Sequence, residues 1–238
     1  MKINFRISIV VTTLVLVSLT AVADDYEPDI VEFNEQTGLS FAGHPAFNMG
    51  EGGTVEFWVA PGWQTDPGYD PVLLSSETDD DFSLVLSMLG DKTGLTIQTR
   101  DNYGEVSFDF SDGTMHHVAV VSLDGTTLVM VDGQPLDELT LGLPNEVPTT
   151  LWMGSINGED LPFVGAMGGF RIWDAAIELE ELVVFALLDP LDPEFPHPDL
   201  SALSAFSDLT NDTIEISDFL WAEESEELSV TALVEASE

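Results

Sequence analysis

Apolar and polar positions alternate most clearly over residues 115–133. His117, Ala119 and Val121 interleave with Val118, Val120 and Ser122, which predicts a strand buried on both faces. Asp124-Gly125 supplies the positive φ angles of a tight turn, Thr127–Val131 returns, and Asp132-Gly133 closes a second turn. Further strands are expected over residues 52–61, where Val55, Phe57 and Val59 share one face, and over 71–76, 82–88, 95–100 and 105–110. Short strands separated by turn signals are the pattern of an all-β sandwich. Residues 177–188 read as a short helix, and residues 200–206 fit another.

Several of these stretches resemble one family in order. The hairpin His116-His117-Val118-Ala119 through Val131-Asp132-Gly133 resembles the signature hairpin of laminin-G-like domains of the concanavalin A-like jelly-roll superfamily, with Met115 where members usually carry Trp. Trp58-Val59-Ala60-Pro61 resembles their aromatic-x-x-Pro landmark, and Trp152-Met153-Gly154 the strand ending in Ile/Met-Gly. Phe163-x-Gly165-x-Met167, followed by Arg171-Ile172-Trp173, resembles their closing strand. The resemblance covers about residues 37–188 and implies a two-sheet antiparallel jelly roll. It also implies that Gly38–Phe41 is the first strand and lies beside Phe163–Trp173. Where members carry an Asp-rich turn after that strand, this chain has Ala42–Phe47.

The ends differ from the middle. A short apolar run from Ile7 to Leu19 follows Lys2 and Arg6 and precedes Ala21-Val22-Ala23, the pattern of a cleavable secretory signal over residues 1–23. Residues 24–36 form an acidic lead, and residues 189–238 an acidic, Pro-containing extension whose Phe206, Phe219, Leu220 and Trp221 favour partial packing over full disorder. No cysteine occurs, so an exported chain of this kind is held by its core rather than by disulfides. Cysteine-free export through a short signal points to a bacterial source and a secreted or periplasmic location.

The formal net charge of −39 changes the list of partners. After the signal only Lys92, Arg100 and Arg171 remain as full cations. Nucleic acid and anionic membrane surfaces are excluded as partners, because too little positive charge is left to neutralise phosphates. Self-repulsion on this scale needs screening by salt or divalent cations.

Candidate chemistry is sparse. Glu27-Pro28-Asp29-Ile30-Val31-Glu32 matches the Glu-x-Asp-x-x-Glu signature of a retaining glycosidase family on this fold, but it precedes the first recognisable strand in a chain rich in acids. His116 and His117 read as strand packing, with no third partner at ligand spacing. Calcium has two candidate turns, Glu77, Asp79, Asp80 and Asp81 in one and Asp66 and Asp70 in the other; the alternative for both is a solvated acidic surface. Trp63, Tyr69 and Tyr103 fall on predicted loops and are the candidates for stacking on sugar rings, whereas Trp58, Trp152 and Trp173 belong to strands.

The sequence therefore reads as a secreted, non-enzymatic binding module for a glycan or an extracellular protein surface. A structural or assembly subunit is the alternative, and a glycoside hydrolase comes third. The charge generates a test. Screening alone predicts a melting temperature that climbs smoothly with ionic strength, whichever salt is used. A calcium site would add a shift that survives high sodium chloride and that magnesium does not reproduce. The first behaviour is expected in a melting series with and without calcium, and the second would contradict it.

Overall fold

The computed structural model describes residues 30–35, 38–50, 52–78, 81–178, 182 and 202–207. Two antiparallel sheets pack face to face. In chain order the strands are β1 (Ile30–Phe33), β2 (Leu39–Ala42), β3 (Gly53–Pro61), β4 (Val72–Thr78), β5 (Asp81–Met88), β6 (Gly94–Thr99), β7 (Tyr103–Ser107), β8 (His116–Leu123), β9 (Thr126–Val131), β10 (Gln134–Leu139), β11 (Thr150–Met153), β12 (Gly165–Trp173) and β13 (Leu203–Ser207). The first sheet runs β1-β12-β3-β8-β9-β10 with β13 also on β12, and the second runs β2-β11-β4-β5-β6-β7. This is the two-sheet antiparallel sandwich that the resemblance implied.

The hairpins form as the sequence dictates. Asp124 (φ 51°) and Gly125 (φ 80°) join β8 to β9, and Asp132 (φ 50°) and Gly133 (φ 70°) join β9 to β10. Two consecutive residues at positive φ make turns whose twist matches that of the strands they connect. Between the sheets lie Phe41, Val55, Phe57, Leu74, Leu86, Ile97, Val118, Val120, Met153, Phe163 and Phe170, all buried. Each such side chain contributes roughly 1.5–3 kcal/mol by leaving water.

The pairing of the chain ends corrects the expectation from the sequence. Gly38–Phe41 does not lie beside Phe163–Trp173. β2 pairs with β11 in the second sheet, while β12 takes β1 opposite residues 165–168 and β13 opposite residues 170–173. β3 occupies the other side of β12, so β1 and β13 share one edge, end to end. That edge thus takes one strand from the acidic lead and one from the C-terminal extension. β13 also replaces the helix expected over 200–206: so short a segment cannot offset the cost of nucleating a helix, whereas pairing with the edge of β12 extends a sheet already formed. Of the helix expected over 177–188, residues 177, 178 and 182 are described: 177 and 178 are not helical, and Leu182 donates its N–H to the Glu178 carbonyl at 3.1 Å. The expected signal peptide, Glu27, Asp29 and the extension beyond Ser207 lie outside the described residues.

The outer face of the first sheet is covered too. Ala119, Val121, Met130 and Trp173 pack with Ile177, Leu182 and Leu203, which explains why β8 is buried on both sides. Thr54 ties this cover down: its hydroxyl donates to the Ala175 carbonyl (2.9 Å) and accepts the Ile177 N–H (3.0 Å). Beneath the cover lies Glu56, 1% exposed. Its Oε1 accepts the Trp173 indole N–H at 2.9 Å and lies 2.9 Å from Arg171 Nε, and its Oε2 is 2.8 Å from His117 Nε2. The Arg171 contact is one of charge rather than alignment, and Arg171 Nη2 has no hydrogen-bond partner. His117, 1% exposed, rests against the Trp58 ring at 5.3 Å.

Burial pushes the Glu56 carboxyl up, but Arg171, His117 and Trp173 together outweigh it and hold the pKa at about 2, below the ordinary 4.5. A depressed carboxyl pKa gives stability that is present above the unfolded value and lost as pH falls towards the folded one. Glu56→Gln strands the buried Arg171 charge and is expected to cost about 3–5 kcal/mol. In urea melts across pH, the gap between wild type and variant should shrink between pH 4.5 and about 2. Parallel curves would contradict this account.

Candidate functional site

At one end of the sandwich, residues 62–71 cross from β3 in one sheet to β4 in the other, and Leu89–Thr93 turn from β5 into β6. The crossing is fastened at Gly62, whose N–H donates to the Val164 carbonyl at 2.8 Å. Trp63 follows. Its indole N–H donates to the Gly90 carbonyl at 2.8 Å, its ring meets Phe163 edge-on at 5.7 Å, and Lys92 Nζ lies 5.2 Å over its face. Trp63 is 9% exposed, so the stacking role expected of it is corrected: it joins the loop to the turn from below.

Gly90 makes the junction close. A Cβ there would fall 2.6 Å from Asp66 Oδ1 and 2.7 Å from the Tyr69 carbonyl oxygen. Its N–H donates to Asp70 Oδ1 at 3.0 Å. Asp66 Oδ1 accepts the Gly68 N–H at 2.7 Å, and Asp91 Oδ1 accepts from the Thr93 N–H (3.1 Å) and hydroxyl (2.6 Å). The Tyr69 hydroxyl donates to the Pro162 carbonyl at 3.2 Å.

These contacts leave an open cleft of about 430 Å³ lined by Asp66, Gly68, Tyr69, Asp70, Leu89, Gly90 and Asp91. Burial and then the Glu35 charge raise the Tyr69 phenol above its ordinary pKa, so it stays a neutral donor. Tyr103 stands 59% exposed on β7, with its hydroxyl donating to Glu105 Oε2 at 3.2 Å. Burial, then Glu105, then the Asp70 charge raise its phenol too.

Of the residues singled out in the sequence, the fold thus gathers Asp66, Tyr69 and Asp70 in one cleft, and Tyr103 is not part of its lining. Glu77 and Asp81 lie at the far end of β4 and β5, so the two acidic turns cannot form one site. Asp79 and Asp80 lie outside the described residues. Among the described residues no three His, Cys, Asp or Glu side chains are grouped so as to hold a metal ion. Glu32, the described acid of the glycosidase-like motif, sits exposed on β1. The reading of the sequence missed Leu89, Gly90 and Asp91; the turn composition Gly90-Asp91-Lys92-Thr93-Gly94 was the available signal.

The fold is that of a jelly-roll sandwich. The family model of the concanavalin A-like lectin/glucanases superfamily, of laminin-G type, matches residues 33–183, and the chain belongs to that family. Among solved structures it is similar to a heptameric SAP-like pentraxin from Limulus polyphemus, with a TM-score of 0.53 and 17% identity over 67% of this chain and 82% of that one. It is also similar to a putative carbohydrate binding protein from Bacteroides ovatus (TM-score 0.55, 16% identity, 76% of this chain and 51% of that one). A third likeness is to the binding domain of botulinum neurotoxin serotype G (TM-score 0.52, 13% identity, 66% and 41%). The chain thus spans about half the length of the second protein and less of the third. No curated protein matches it in sequence.

Gly90→Ala tests the junction. The added methyl meets a backbone carbonyl and a carboxylate, so it should lower stability by about 1–3 kcal/mol and alter Trp63 fluorescence. Unchanged urea melts and emission would show that the loop and the turn are not in contact.

Proposed function

We propose that this chain is a non-enzymatic glycan-binding module that takes its ligand at the cleft. The observation that carries the reading is the arrangement of the cleft carboxylates. Asp66, Asp70 and Asp91 each use Oδ1 on neighbouring groups of the protein, which fixes their orientation and leaves Oδ2 for a ligand. Fixed carboxylate oxygens accept hydrogen bonds from sugar hydroxyls, and charge makes those bonds stronger than neutral ones. The Tyr69 ring supplies an apolar face for the C–H side of a sugar. A cleft with an aromatic wall and a few held polar groups is the usual form of a small-ligand site. The superfamily of lectins and glucanases, and the Bacteroides ovatus neighbour described as a putative carbohydrate binding protein, support the class of ligand. Export through residues 1–23 belongs to the same reading and would bring the module to extracellular glycans.

A glycan array run with calcium and with chelator tests it. Specific hits are expected. Asp70→Asn keeps the acceptor for Gly90 but removes the charge, and should weaken binding about tenfold, as loss of one charged hydrogen bond does. Tyr69→Ala should weaken it as well. An array with no hits, alongside a protein that co-purifies stably, would replace this reading with that of an assembly subunit. Hydrolysis of a β-glucan would overturn the non-enzymatic reading.

A further inference from the structure

His116 is the first residue of β8 and lies at the same end of the sandwich as the cleft, opposite Val59 of β3. It is 5% exposed, with the edges of Phe108 and Phe110 against its ring at 5.0 and 5.4 Å. Both ring nitrogens face oxygen. Nδ1 lies 2.7 Å from Asp132 Oδ2 in the β9–β10 turn. Nε2 lies 3.0 Å from Asp112 Oδ1 and 3.3 Å from the Thr114 hydroxyl, both in the segment between β7 and β8. A neutral imidazole has one N–H and can donate to one of these carboxylates; the imidazolium donates to both.

The segment held in this way is itself bonded to the cleft wall. Phe108 donates its N–H to the Thr93 carbonyl (3.0 Å) and Phe110 to the Lys92 carbonyl (2.9 Å). Lys92 and Thr93 end the turn that carries Leu89, Gly90 and Asp91. We propose that His116 is a pH-responsive clamp behind the cleft: protonated, it ties residues 108–114 to the β9–β10 turn and steadies the Leu89–Thr93 wall; neutral, it lets Asp112 go and loosens that wall. As regulation of ligand binding, this rests on the cleft being the glycan site.

The charged groups facing the ring are Asp132 from the β9–β10 turn and Asp112 and Asp109 from the preceding segment. The adjacent His117 points to the opposite face, towards Glu56. The hydrogen bond to Asp132 raises the His116 pKa above its ordinary 6.5, burial opposes it, and Asp112 adds to it. A raised histidine pKa means that the clamp is complete below about 6.5 and is lost as pH climbs through the folded value.

The test is a pH titration of the isotopically labelled protein, without ligand, followed by NMR. The His116 ring should titrate above pH 6.5, and the amide signals of Gly90, Asp91 and Thr93 should move with the same midpoint. Asp112→Asn, at an exposed position, should lower both midpoints together, and His116→Gln should abolish the movement of the amides. Cleft-wall amides that stay still while the ring titrates, or a ring midpoint that falls in Asp112→Asn without the amides following, would overturn the clamp. If His116→Gln does not fold, Asp112→Asn alone decides. The glycan array fails or succeeds independently, so an array with no hits would remove the ligand and leave this coupling standing on the amide signals.

Discussion

The Glu56 carboxylate is the interaction on which the first sheet depends. It is buried in the middle of that sheet, and a buried charge without partners is among the costliest features a fold can carry. Three strands pay for it: β3 provides the carboxylate, β8 brings His117, and β12 brings Arg171 and Trp173. Those partners fix the relative position of the strands at the centre of the sheet. β12 in turn presents the edge on which β1 and β13 pair. The second cluster of apolar side chains, with Ile177, Leu182 and Leu203, covers the network and excludes water from it.

The same economy of positive charge recurs elsewhere. Lys92 sits over Trp63 beneath the cleft, and Arg100 bonds Thr78 and pairs with Glu146 at 3.1 Å. With Arg171 on Glu56, each cation after the expected signal joins segments distant in sequence. None of these three stands apart as a free surface charge. The negative surface is therefore balanced by ions from solution, and the cleft at its end presents carboxylates to whatever approaches.

Much of the fold was legible because its signals are local. Paired Asp-Gly turns and alternation through His116–Val131 specify strands from neighbouring residues alone, and Phe163–Trp173 was legible through its resemblance to the family's closing strand. β1 and β13 were hidden because they are four and five residues long and owe their form to the edge of β12, a partner far away in sequence. Half of the cleft was legible for the same reason. Asp66, Tyr69 and Asp70 share one loop of evident composition, whereas Gly90 and Asp91 join them only through the β5–β6 turn. The burial of Trp63 could not be read from its loop, since it is decided by Phe163 and Gly90. The polar role of the two histidines was equally hidden, because Glu56, Asp112 and Asp132 meet them only in the folded chain.

The central claim is that a glycan seats between the β3–β4 crossing and the β5–β6 turn. Titrating the isotopically labelled protein with a glycan selected on the array, and following its amide NMR signals, tests this most directly. The account predicts that the largest shifts cluster at Gly68, Tyr69, Asp70, Gly90 and Asp91. Shifts concentrated instead at Glu77, Asp81 and Phe82, at the opposite end of the sandwich, would contradict it.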